Sequence, residues 1–249
     1  MMDAIGLGQY VFFVLVVTAS FAVRGATGFG SAAVATPLAA LALPVHFVIP
    51  VVASLQLVST TEYSARNWRV VDWPEMLRIA PFLVGGALLG LYLFYKLDAR
   101  VIAKGLGVIV IAYAIYAMAT AGQEPGGARR LPWPIAVTLN TVGALVGALF
   151  GGASSPFYAI YLKALHLSRD AFRATMSMLV LVQVVLRIGG YAGMGLFDAK
   201  ILPAALIALP FMLVGGRIGD VIAERASPRA FNRIVGVVLL VSGTALVLK

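Results

Sequence analysis

Pro81-Phe-Leu-Val-Gly-Gly86-Ala-Leu-Leu-Gly90 returns later in the chain as Pro210-Phe-Met-Leu-Val-Gly215-Gly-Arg-Ile-Gly219. Just downstream, Arg100-x3-Lys104-x2-Gly107-Val108 returns as Arg229-x3-Arg233-x2-Gly236-Val237. The offset is 129 residues in every pair (210 − 81, 229 − 100). Both stretches lie in apolar runs, so the chain reads as a duplicated set of hydrophobic helices. Many secondary transporters are built this way, with the substrate held where the two halves meet.

Composition fixes the class. Of 249 residues, 61% are hydrophobic and 12% charged, and the mean hydropathy is +0.97. A soluble domain carries roughly a quarter charged residues, so this chain lacks the polar surface to face water all round. Apolar runs such as Ala99–Ala121 and Lys200–Ile222 are each long enough to span a bilayer as a helix, which takes about 20 residues. The alternation of a transmembrane β-barrel is absent. The expected fold is an all-α, polytopic membrane bundle. Its basic residues sit between apolar spans, where positive-inside retention places them, so the net charge of +9 does not signal nucleic-acid binding. With no cysteine, there is neither a disulfide nor a thiolate metal site.

Each half holds five apolar segments. The first repeat is expected over residues 1–120, a linker over 121–133 and the second repeat over 134–249. The second segment of each half, Ser31–Leu43 and Ser154–Leu165, is short for a span. Thirteen residues of helix cover about 20 Å, against about 30 Å of hydrocarbon. Each follows a glycine-rich break, Gly25-Ala-Thr-Gly28-Phe-Gly30-Ser31 or Gly151-Gly152-Ala-Ser154-Ser155, and each carries a proline, Pro37 or Pro156. We read them as broken or re-entrant helices, which survive at membrane depth only where protein or a water-filled cavity satisfies their backbone. If the short segments cross, or fold back as hairpins, each half crosses an odd number of times and the repeats are inverted. If they alone fail to cross, the repeats are parallel. Either way Lys163–Arg173 and Arg225–Arg233, the most basic loops, share one side, which the positive-inside rule makes cytoplasmic. Both termini are then outside. The small residues Gly143, Gly147 and Gly151, and Ala22, Ala26 and Gly30, recur at four-residue spacing, as expected where helices pack closely in lipid.

The candidate site is cationic. No carboxylate is clearly central, whereas Arg24 abuts the first break and is the first choice to balance an anion's charge, with Arg187, far into its span, the second. Arg217 lies between Gly215 and Gly219 and reads more readily as snorkelling to an interface. Ionisable groups inside a membrane are costly and mark function by default. A helix that restarts inside the membrane presents free N–H groups and the positive end of its dipole, which together favour anions. Gly28, Gly30 and Ser31 stand at one restart; Gly152, Ser154 and Ser155 stand at the other. Gln56 and Gln183 lie in the third segments and could line the site, although such groups also bond neighbouring helices. Asn140 carries the same ambiguity. His46 and His166 are isolated, so neither a metal centre nor a catalytic triad is expected.

With Gly28-Phe-Gly30-Ser31…Pro37 opening one half and Gly151-Gly152…Pro156 opening the other, the chain resembles the sulfite exporter TauE/SafE family. The resemblance covers nearly the whole chain, including the Val71-Asp72-Trp73 turn and Phe197-Asp198. Ser31-Ala32 and Ala153-Ser154 stand where the family more often has glycine. The resemblance implies two homologous halves in a bacterial-type inner membrane, exporting a small anion such as sulfite or sulfoacetate. A proton- or sodium-coupled importer and an anion channel are the alternatives. No enzyme activity, cofactor or nucleic-acid partner is expected. The partners are the small anionic substrate and the bilayer, and a homodimer is among the open oligomeric states.

Overall fold

The computed structural model describes residues 6–27, 30–119, 131–195, 197, 200–225 and 228–248. Among these the chain forms ten α-helices and no strand. The first half contributes α1 (Leu7–Thr27), α2 (Ser31–Ala40), α3 (Val45–Asn67), α4 (Trp73–Lys96) and α5 (Ala99–Ala119). The second contributes α6 (Trp133–Leu149), α7 (Ser155–Lys163), α8 (Arg169–Gly193), α9 (Ile201–Arg225) and α10 (Pro228–Leu248). Among the described residues, α1, α3, α4, α5, α8 and α9 are long and apolar enough to cross a membrane. Most of the linker, residues 121–130, lies outside the described residues.

The repeated glycines explain how the halves join. Gly86 and Gly90 on α4 face Thr141 and Leu145 on α6 so closely that a Cβ would collide with their carbonyl oxygens. Gly215 and Gly219 on α9 face Thr18 and Ala22 on α1 in the same way. Small residues permit this backbone approach. Each half therefore places its fourth helix against the first helix of the other half. The fifth helices pair as well: a Cβ on Gly107 would lie 2.7 Å from Gly243 O, and one on Gly236 2.7 Å from Met118 Cγ. Position rises on α5 as it falls on α10, so these two helices run antiparallel. So do α3 and α8, where Ser64 meets Ser177 and Gln56 meets Arg187.

The short second helices fold back as hairpins. At the base of the first, Gln9 Nε2 on α1 donates to Ala42 O just beyond α2, at 2.9 Å. That base adjoins the start of α5, since Leu43 and Pro44 share a cavity wall with Ala99 and Arg100. At the base of the second, Tyr161 OH on α7 donates to Glu75 Oε2 near the start of α4, at 2.7 Å. The 24-residue α4, about 36 Å long, separates the two bases. The hairpins thus enter from opposite ends of the bundle. Their tips meet between: Thr36 Oγ1 on α2 donates to Gly151 O at 3.2 Å, and a Cβ on Gly152 would meet Ala32.

Local chemistry makes the tips. Gly30 has φ 90°, and Gly151 and Gly152 have φ 80° and 116°, all in the left-handed region that glycine enters without steric cost. Pro156 sits in the first turn of α7, where its missing N–H breaks no helical bond. Three expectations need correction. Gly30 does not extend the helix face of Ala22 and Ala26, because α1 ends at Thr27 and Gly30 has open space where its Cβ would stand. Gly25 does not belong to the break: α1 continues to Thr27, and Gly25 instead packs against Gly216 and Gly219 of α9. Gly151 does not extend the helix face of Gly143 and Gly147, because α6 ends at Leu149 and Gly151 turns the chain.

Candidate substrate site

Where α3 crosses α8, Arg187 is only 1% exposed. Its Nε donates to Tyr191 OH at 3.2 Å and its Nη1 to Gln56 Oε1 at 3.3 Å. Tyr191 OH donates onward to Ala148 O at 3.2 Å, in the last turn of α6. Nη2 is buried and has no hydrogen-bond partner. The ion pairs among the described residues are Arg66–Glu62 and Arg78–Glu75, and neither involves Arg187. A buried guanidinium is thus held by neutral dipoles alone, with one donor edge unused. Burying a charge without a counter-charge is expensive; an anion at Nη2 would supply both the missing charge and the missing acceptor. The Tyr158 hydroxyl faces Ser154 and Arg187 but completes no hydrogen bond.

The hairpin tips close around this centre. Gln183 Nε2 donates to Ala144 O of α6 at 2.7 Å, and a Cβ on Gly147 would collide with the Gln183 amide and lie 2.7 Å from Ser154 Cβ. On the other side, Gly152 leaves room for Gln56, whose Oε1 would be 3.2 Å from a Cβ there. Arg24, Gly30, Ser31, Gln56, Thr60 and Ser155 line a cavity of about 10 Å³, the room of a single water. Arg24 closes it. Its Nη1 donates to Ser59 Oγ, and its Nη2 to Ser59 O at 3.1 Å.

Beyond Arg24 the bundle opens into a cleft of about 510 Å³ between α1, α3, α8 and α9. Arg24 belongs to both walls and forms the floor of the cleft. Arg217 lies on its rim, exposed.

Of the residues singled out in the sequence, Arg24, Gly30, Ser31, Gln56 and Ser155 line the small cavity. Gly152, Ser154, Gln183 and Arg187 pack around it. Gly28 lies outside the described residues. The second restart is poorer in donors than expected, since Pro156 in the first turn of α7 has no N–H to offer. Gln183 spends its amide on α6, the packing role that polar groups in membrane helices often take. Asn140 does likewise within its own helix, Nδ2 donating to Ala136 O at 2.8 Å. Sequence reasoning missed Tyr191, although its spacing of four from Arg187 puts both on one helix face. It also missed Tyr158, and the cleft arginines Arg66 and Arg173, which α3 and α8 bring together. Among the described residues no group of three or more His, Asp or Glu comes together that could hold a metal ion.

Apolar helices long enough to span a bilayer, wrapped around a buried cation with no carboxylate partner, describe a polytopic helical membrane protein with an ionisable group at its centre, the kind of group that marks function in a membrane. A model of the sulfite exporter TauE/SafE family matches residues 12–246. The probable inner membrane transporter protein TsaS of Comamonas testosteroni is 31% identical over 182 residues, which cover 72% of this chain and 74% of that protein. The chain belongs to the TauE/SafE family. No solved structure matches it.

Proposed function

We propose that the protein is a secondary transporter exporting a small sulfur-containing or organic anion, such as sulfite or sulfoacetate, across the bacterial inner membrane. The observation that carries this reading is the unused Nη2 of Arg187, buried where the two hairpin tips meet. In this reading the halves form an inverted repeat, which the antiparallel courses of α3 against α8 and α5 against α10 support. The anion sits between the tips, held by Arg187, with Gln56, Ser31 and Ser155 as neutral donors. Arg24 on Ser59 is the barrier it must pass. Alternating access rocks one half against the other around the fixed site. Each negative charge moved outward through an inside-negative potential of 100 mV gains about 2.3 kcal/mol, so export needs no coupling ion.

The test is efflux from proteoliposomes loaded with sulfite, sulfoacetate, thiosulfate or small carboxylates. We expect selective flux of one sulfur-containing anion. Arg187→Ala should abolish it. Arg187→Lys should keep part, because the charge stays while the planar fork is lost. Wild-type flux in Arg187→Ala, with the protein folded, would overturn the assignment.

A further inference from the structure

The cleft outside Arg24 is lined by four arginines, Arg24, Arg66, Arg173 and Arg217, against two carboxylates, Glu62 and Asp220. Glu62 pairs with Arg66 at 3.0 Å, both side chains largely exposed, so the lining keeps a net positive charge. Arg173 stacks its guanidinium over the Tyr63 ring at 5.7 Å from the centroid, which holds it on the wall, and its Nε is buried without a partner. The cleft therefore has a surplus of positive charge inside low-dielectric walls, which focus the field and raise the local anion concentration. At about 510 Å³ it falls within the range of small-molecule sites. The cavity beyond its floor, at about 10 Å³, holds no more than one water. An anion arriving on this face must dwell in the cleft until the Arg24–Ser59 contact parts.

We propose that this cleft is a second anion site, a loading vestibule for a small sulfonate or sulfite, in which Arg173 and Arg217 hold the anion before Arg24 admits it to the buried centre. The proposal rests on the transport reading for its purpose but not for its chemistry. The vestibule lowers the concentration needed to load the transporter and leaves the rate of the crossing step to the buried site. Being open to solvent, it is screened by salt, whereas Arg187 is not.

The first measurement is sulfite efflux from the cleft face, wild type against the double variant Arg173→Gln/Arg217→Gln. We expect the half-saturating concentration to rise about fivefold or more, the maximal rate to stay within about twofold, and the salt dependence of half-saturation to flatten. An unchanged half-saturation, or a loss confined to maximal rate, overturns the vestibule. The second measurement is thermal unfolding in detergent with sulfite against chloride at matched ionic strength. Arg187→Ala should keep a sulfite-specific rise in Tm that disappears when Arg173→Gln and Arg217→Gln are added. Should Arg187→Ala not fold, the neutral Arg187→Gln serves as the background. A folded Arg187 variant with no sulfite-specific rise overturns the second site. A wild-type protein without flux overturns the transport reading instead, and the unfolding experiment then decides the vestibule alone.

Discussion

At the scale of single residues, the site is assembled by glycines that leave room for side chains. Gly147 is the clearest case, because its missing Cβ is the space that the Gln183 amide occupies. Gly147→Ala should force Gln183 off Ala144 O and cost about 1–3 kcal/mol as an overpacked core position. Gly189 on α8 has nothing within 4 Å of where its Cβ would stand. Gly189→Ala should therefore leave stability unchanged or raise it slightly, since alanine is the better helix former. Thermal unfolding in detergent compares the two, and equal effects would refute the packing role of Gly147. Tyr191 matters in another way: its hydroxyl accepts from Arg187 and donates to Ala148 O, so it ties the cation to the end of α6.

At the scale of elements, the glycine repeat is a packing code. Gly86 meets the Thr141 carbonyl, whereas its neighbour Gly85 has open space. Gly86→Ala should prise α4 from α6 and lower Tm measurably, and Gly215→Ala should do the same to α9 and α1. Gly85→Ala should not. Comparable losses in Gly85→Ala and Gly86→Ala would sink the claim. The helices themselves were legible in the sequence because each is a nearly unbroken apolar run, and the breaks were legible because glycine and proline punctuate them. The partner of each helix was not. The spacing of Gly86 and Gly90 announces a close neighbour without naming it, and here that neighbour is in the other half. Arg24 and Arg187 were visible as charges out of place. Their partners Ser59 and Gln56 depend on which helices cross, and no local pattern encodes that, whereas Tyr191, four residues along α8 from Arg187, was within reach of the helical spacing. The first break begins later than the sequence suggests, because a glycine at position 25 suits both a helix interruption and a close contact, and its contact with α9 decides between them.

At the scale of the whole molecule, the cleft opens where the start of α8 and the end of α9 lie, since Arg173 and Asp220 share its wall. The basic loops flank this face, so we expect it to be cytoplasmic. The chain has no cysteine, which gives a clean background for labelling. A cysteine at the exposed Ser168 should be protected from an impermeant thiol reagent in intact cells. One at the exposed Asp98, beyond the far end of α4, should react. Losing the Ser168 cap on Ala171 N costs only about 1 kcal/mol. The reverse labelling pattern would invert the topology. Ser227, in the second basic loop, lies outside the described residues.

The exchange of partners between halves bears on ancestry. Neither α1 nor α4 finds its close glycine-packed neighbour within its own half. Under the inverted-repeat reading proposed above, a gene of half this length would encode a subunit whose best companion is a copy of itself inserted upside down. Such a chain has to enter the membrane in both orientations, and selection would keep its loop charges balanced. Joining two copies end to end frees each from that compromise, and the uneven spread of arginines in the present chain is what such release would leave behind.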